Sequence, residues 1–134
     1  RFVDYPVISD DSGLCIKALK NKPGIYSARL AKKYGSFFKA MKFILKKMKK
    51  KKNRKATFVC SLSYKNNFGK IISAEGKLKG NISLKILGKK GFGYDPIFIP
   101  NGSQKTFAQM SLNEKQQISH RSKAIAKLAQ YLAM

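Results

Sequence analysis

Tyr5-Pro6-Val7-Ile8-Ser9-Asp10-Asp11-Ser12-Gly13-Leu14 is the stretch on which the reading of this chain turns. Tyr5 to Ile8 is short, apolar and β-prone, and two adjacent carboxylates at a Ser-Gly turn follow it directly. The pattern predicts a strand whose C-terminal end carries the acidic pair, which is where α/β folds build sites. Only six acidic residues stand against 29 basic ones, so carboxylates placed side by side are not solubilising decoration. Adjacent carboxylates repel unless a positive charge offsets them, and a hard divalent ion with oxygen ligands is the usual partner. Asp10 and Asp11 are therefore candidate metal ligands, with Mg²⁺ the natural ion. The plain alternative is a surface acidic turn without a ligand.

At 134 residues and 43% hydrophobic content, with nine Phe, the chain has the composition of one globular domain. It opens at Arg1 with neither a helix cap nor a turn that would mark a natural beginning, so the expectation is an N-terminally truncated domain. No apolar run approaches the ~18 residues of a membrane span, and no signal-peptide pattern is present. The reading is a cytoplasmic protein without a membrane partner. Cys15 and Cys60 have neither zinc spacing nor disulfide density and read as reduced core residues. A formal net charge of +23 points to polyanionic partners: nucleic acid, anionic membrane or nucleotide phosphates. Arginine, which nucleic-acid readers use for bidentate base contacts, stands only at positions 1, 29, 54 and 121. A lysine excess of this kind fits a coding bias toward A and T as well as it fits a function.

Outward from the acidic pair, Leu14 to Leu19 reads as a second short strand ended by Asn21-Lys22-Pro23-Gly24, and Ile25 to Ala31 leads into a helical region. Arg29 there is either an exposed helix charge or a phosphate or structural contact. From Ser36, placed to cap, Phe37, Phe38, Met41, Ile44, Leu45 and Met48 recur at helical spacing and predict one buried face. The lysines of its far face run on through Lys49 to Lys55, best read as a solvated surface. Nucleic-acid binding by that surface is the alternative and not the favoured partner. Ala56 to Tyr64 alternates as a strand, Asn66 to Gly69 makes a turn, and Lys70 to Glu75 is its hairpin partner. Gly76, Gly80 and Gly88 then punctuate an alternation at Ile82, Leu84 and Ile86, with no phosphate-loop spacing.

Gly91-Phe92-Gly93-Tyr94-Asp95-Pro96-Ile97-Phe98 is the second dense stretch. Two glycines around an aromatic permit unusual backbone angles and close approach of a flat ligand, and Phe92 and Tyr94 offer π-faces to a base. Ser111 to Glu114 matches a capping box, with Lys115 in the first turns of the helix it opens. Ser119 caps a last helix with Ile125, Leu128, Ala129 and Leu132 on one stripe. His120, the sole histidine, and Arg121 fall in its first turn, where backbone N–H groups favour anions. Alone, His120 fits a structural role as well as a ligand contact.

Four segments in series, Asp10 to Leu14, Pro23 to Arg29, Gly91 to Phe98, and Glu114-Lys115 with Ile118 to Arg121, resemble the inosine/xanthosine triphosphate pyrophosphatase family. Arg54, Ala56, Phe58 and Cys60 are similar to its central strand. The resemblance implies an α/β fold with a long mixed central β-sheet flanked by helices, a homodimer, and hydrolysis of non-canonical purine nucleoside triphosphates to the monophosphate and pyrophosphate. It implies Asp11 as proton acceptor and Mg²⁺ ligand, Asp10 as a further metal ligand, and Ser12 as a substrate contact. Phe92, Gly93, Tyr94 and Asp95 would line the nucleoside pocket, Lys115 would contact substrate, and His120 with Arg121 would recognise the purine. Family members also carry a Ser/Thr-x-Asn-x-x-Lys loop and a metal-holding glutamate earlier in the chain, which have no counterpart in residues 1–134.

Overall fold

The computed structural model describes residues 7–66 and 68–132. Five strands form one sheet, β1 (Val7–Ile16), β2 (Lys22–Gly24), β3 (Lys55–Lys65), β4 (Ile71–Ile82) and β5 (Phe98–Pro100), in the order β2-β1-β3-β4-β5. The helices are α1 (Ser27–Tyr34), α2 (Phe37–Met48), α3 (Leu112–Ile118) and α4 (His120–Leu132). The α/β class read from the sequence holds, and every strand pairing among the described residues is antiparallel.

The first correction concerns the opening stretch, of which Tyr5 and Pro6 lie outside the described residues. The acidic pair is not a turn between two strands. β1 runs unbroken from Val7 through Ile16 and pairs with β3 in register, Asp10 opposite Leu62 and Asp11 opposite Ser61. A long cross-strand ladder on β3 overrides the local turn preference of Ser12-Gly13, as tertiary pairing commonly overrides propensity. A 3-10 turn, Lys17–Leu19, takes the place of the second strand.

One sheet face carries the core. Leu14, Ile16, Ala56, Phe58 and Ile82 pack with Ala40, Met41, Ile44 and Met48 of α2 and with Phe98 and Phe107. A second cluster joins Cys60, Leu62 and Ala74 to Ala124 and Leu128 of α4. Ser36 caps α2 as predicted, its side chain accepting from the Lys39 N–H. Phe37 and Phe38 were expected in the buried face but remain exposed. The buried stripe follows Ala40, Met41, Ile44 and Met48 instead, leaving Phe37 edge-on to Tyr94 at 5.2 Å and Phe38 beneath Lys42. In α4, Ile125 and Ala129 likewise face solvent, because the sheet is met by Ala124 and Leu128.

The hairpin is present, its turn including Asn67 outside the described residues, and β4 is longer than expected, running through Gly76 and Gly80 to Ile82. The alternation predicted for Leu84 and Ile86 does not continue it. Arg54 ends the strand: its Nε donates to the Ile82 carbonyl at 2.8 Å, Nη2 to Ser83 at 2.6 Å and Nη1 to Met48 at 3.0 Å, which ties β4 to the end of α2.

Candidate active site

Where α4 begins, it crosses β4 at Gly76. A Cβ there would lie 2.0 Å from the His120 carbonyl oxygen and 2.5 Å from the Ala124 nitrogen, so the missing side chain is what lets the helix N-terminus lie on the sheet. Ser119 caps this end, accepting from the Ser122 N–H at 3.0 Å. His120 is thereby pressed flat on Phe58, ring centroids 4.7 Å apart at 18°. It is 7% exposed, and its Nδ1 has no hydrogen-bond partner among the described residues. Burial, then the neighbouring Arg121 and Lys115, push its pKa down to about 4 against a weaker opposing pull from Asp10. Near neutral pH the imidazole is uncharged, so it offers hydrogen bonding rather than charge.

Arg121 reaches the other way, to β1. Its Nη2 donates to Ser12 Oγ at 3.0 Å, and its Nε lies 3.0 Å from Asp10 Oδ2. That second contact is an ion pair whose N–H is not aligned into a hydrogen bond. The guanidinium also sits over the Phe92 ring at 5.1 Å. Cys60 donates to Asp10 Oδ1 at 3.5 Å, and burial raises its thiol pKa.

The Gly-Phe-Gly turn projects Phe92. Gly91 and Gly93 take φ of +77° and +61°, a region that side-chain-bearing residues rarely adopt, and the ring between them is 61% exposed. Asp95, 3% exposed, fixes the turn from beneath by accepting from the Phe92 N–H at 3.0 Å, and it forms a buried ion pair with Lys115. Lys115 lies between the Phe92 and Phe107 rings, 4.5 and 5.3 Å from their centroids. Tyr94 is buried, its hydroxyl donating to the Ser27 carbonyl at 2.6 Å, and burial pushes its pKa up to about 12. Between these groups lies a cleft of ≈ 100 Å³, lined by Ser12, Leu14, Phe37, Phe58, Phe92, Tyr94 and His120 among others. It is well below the ~300 Å³ that encloses a whole small ligand and suits one flat ring. A roomier cavity of ≈ 440 Å³ lies on the other sheet face among Lys17, Lys55, Thr57 and Lys79, and none of the predicted site residues lines it.

Asp10, Ser12, Phe92, Gly93, Tyr94, Asp95, Lys115, His120 and Arg121 thus come together. Asp11 does not join them. Side chains alternate along a strand, so Asp11 falls in the row of Ser61 and Glu75 on the opposite face from Asp10. The expectation that both carboxylates hold one ion draws no support from this arrangement: a turn could have aimed them together, but a continuous strand separates them. Among the described residues no three His, Cys, Asp or Glu side chains gather as a metal cluster. Asp10 is engaged by the Arg121 guanidinium, which takes one of its oxygens. Asp11 fits a metal better: it is exposed and is the one described carboxylate side chain without an ion pair, the other four being matched to Lys77, Lys105, Lys115 and Arg121.

A model of the Ham1 family matches residues 1–131. The chain belongs to the Ham1 family. Among the relatives of this Ham1-family chain, a dITP/XTP pyrophosphatase of Saccharolobus solfataricus is 47% identical over 128 residues, covering 95% of this chain and 63% of that protein. One from Treponema pallidum is 40% identical over 134 residues, 98% of this chain and 50% of that protein. The chain therefore spans between half and two thirds of the length of these two relatives. The solved structure of the Staphylococcus aureus Ham1 protein superposes with a TM-score of 0.91 at 40% identity, covering 98% of this chain and 68% of that one. The family read from the four motifs is the one matched.

Sequence reasoning missed several groups in this Ham1-family site. Phe58, the floor under His120, was visible only as an inward strand position. Ser27 accepts from the Leu14 N–H at 2.9 Å and donates to the Gly24 carbonyl at 2.7 Å, so the Pro-Gly-Ile-Tyr-Ser-Ala-Arg motif supports β1. Arg29 is exposed, its guanidinium lying over Tyr26 at 5.5 Å. No periodicity could have paired Phe58 with His120 or Ser27 with Leu14, because these pairings cross elements.

Proposed function

We propose that the protein hydrolyses non-canonical purine nucleoside triphosphates, those of inosine, deoxyinosine and xanthosine, to the monophosphate and pyrophosphate. The observation that carries this reading is the gathering of Lys115, His120 and Arg121 with Phe92 around a cavity of ≈ 190 Å³ that shares Phe92 and His120 with the ring-sized cleft, one strand position from an unpaired carboxylate. A purine stacked at Phe92 would present its C6 oxygen to donors from Arg121 and His120. Adenine carries an amino donor there and would leave them facing another donor, a mismatch that rejects an analogue strongly. Among the described residues β2 pairs with β1 only at Leu14, Cys15 and Ile16. Among the described residues no strand pairs with β1 on that side from Ser9 to Ser12, and a triphosphate crossing there would pass from the face of Ser12 to that of Asp11.

There Asp11 would orient a water and take its proton as the oxygen attacks the α-phosphorus. The bond from that phosphorus to the bridging oxygen breaks, and pyrophosphate departs with the electron pair. A divalent cation, which we take to be Mg²⁺, would neutralise phosphate charge. A single carboxylate such as Asp11, with phosphate oxygens and water, is an adequate set of ligands for it. The reading includes a homodimer, supported by the exposure of Ile25 (88%) and Tyr26 near an apolar groove lined by Pro23, Leu30 and Phe43. It also includes a cytoplasmic setting, which suits two free thiols. Pyrophosphate release from inosine and adenosine triphosphates with Mg²⁺ tests it. The inosine substrate should be cleaved, the adenosine substrate at least about a hundredfold less efficiently, and Asp11→Asn should abolish turnover. Equal cleavage of both, or full activity in the variant, would defeat the reading.

A further inference from the structure

The Asp10–Arg121 pair does more than satisfy a charge. Arginine grips an anion through two parallel N–H donors along one of two forked edges, Nε–Nη2 or Nη1–Nη2. Here Nη2 is committed to Ser12 Oγ at 3.0 Å, and Nε lies 3.0 Å from Asp10 Oδ2. The guanidinium plane is set over Phe92 at 5.1 Å. Ser12 and Asp10 thus lie along the Nε–Nη2 edge, while Nη1 makes no hydrogen bond among the described residues. That arrangement fixes the guanidinium against β1 and over Phe92, with its outer N–H groups facing the place where a ring stacked on Phe92 would carry a carbonyl oxygen.

Charge leads to the same place. In a protein of net charge +23, a free guanidinium at the mouth of the cleft would be drawn to the triphosphate and pull the substrate out of register. A carboxylate held against it cancels most of that attraction and leaves the directional donor. We propose that Asp10 is a positioning residue and not a metal ligand: it aims and neutralises Arg121 so that this arginine reads the purine carbonyl instead of a phosphate. The inference rests on the function proposed above, because it assigns the specificity of that same site.

Steady-state kinetics of the wild type, Asp10→Asn, Asp10→Glu and Asp11→Asn on inosine and adenosine triphosphates, each across a Mg²⁺ series, tests it. Calorimetry of inosine monophosphate and of inorganic pyrophosphate accompanies the kinetics. In Asp10→Asn, the KM for inosine triphosphate and the Kd for inosine monophosphate should rise about tenfold. Pyrophosphate should bind more tightly, because the freed guanidinium turns to phosphate, and the preference for inosine over adenosine should narrow. The Mg²⁺ concentration for half-maximal rate should stay within about twofold of wild type, and Asp10→Glu should recover part of the lost affinity. A Mg²⁺ requirement that shifts in Asp10→Asn, or a lower kcat with unchanged monophosphate affinity, would make Asp10 a metal ligand and overturn the proposal. Unchanged kinetics and binding would overturn it too. If the wild type itself releases no pyrophosphate from inosine triphosphate, the underlying reading fails first, an outcome distinct from either of these.

Discussion

His120 stacks on Phe58 with its Nδ1 unpartnered and its pKa pushed down to about 4, so folding and proton binding are linked at this residue. An unfolded chain binds a proton at His120 near pH 6.5, whereas the folded one does so only near 4. The unfolded state therefore holds more protons between these values. The corresponding stability is fully present above pH 6.5 and is lost as pH falls toward 4, by up to about 3 kcal/mol. Urea unfolding from pH 7.5 to 4.5 should show this loss in the wild type and a shallower one in His120→Gln. Arg54 makes a second prediction. It satisfies three carbonyls at the junction of α2 and β4, and Arg54→Ala should cost about 2–3 kcal/mol by chemical denaturation. The cleft is untouched by this change, so the KM of the folded fraction should stay put.

At the scale of elements, α4 matters most to the site because it delivers His120 to β3 and Arg121 to β1. Its approach depends on Gly76, where a Cβ would meet the backbone of His120 and Ala124. In Gly76→Ala the helix must shift outward or the strand must bend, and overpacking of this kind costs about 1–3 kcal/mol. The functional effect should exceed the stability effect, since displacing α4 breaks the Arg121 contact with Ser12. The measurement is KM for inosine triphosphate alongside Tm; a lowered Tm with unchanged KM would show that the helix N-terminus does not place the specificity residues. β1 acts on the site through its period. Because it stays a strand through Asp10 and Asp11, it shows one carboxylate to the helices and the other to the opposite face.

Over the whole molecule, net charge is the dominant quantity. At +23 the folded chain repels itself, and added salt screens that repulsion over a Debye length of about 30 Å at 0.01 M and 8 Å at 0.15 M. Raising salt over this range should raise Tm and, by screening attraction for the triphosphate, raise KM as well. A fall in Tm would mean that the lysines are already neutralised by local contacts. Assembly is testable at the same scale. Ile25→Lys places a charge on the most exposed large apolar residue described and should shift sedimentation of the proposed dimer to that of a monomer. A dimer that persists unchanged would put the interface elsewhere.

What the sequence determined by itself is what depends on neighbours along the chain. The cap at Ser36, the capping box at Ser111 to Glu114, the β3–β4 hairpin and the four motifs that mark the family are local patterns, and they were legible as such. So was the gathering of Phe92, Lys115, His120 and Arg121, though as a likeness to a family and not as geometry. Only the tertiary structure decided which side each residue faces. Phe37 and Phe38 lie on an apolar helix yet stay outside because α2 meets the sheet through Ala40, Met41 and Ile44. Ile125 gives way to Ala124 for the same reason. Asp10 and Asp11 look identical in sequence, but a strand pairing formed with residues some fifty positions away sends one to Arg121 and leaves the other free. Register against a distant strand and docking of a distant helix are long-range choices, and local propensity carries no information about them.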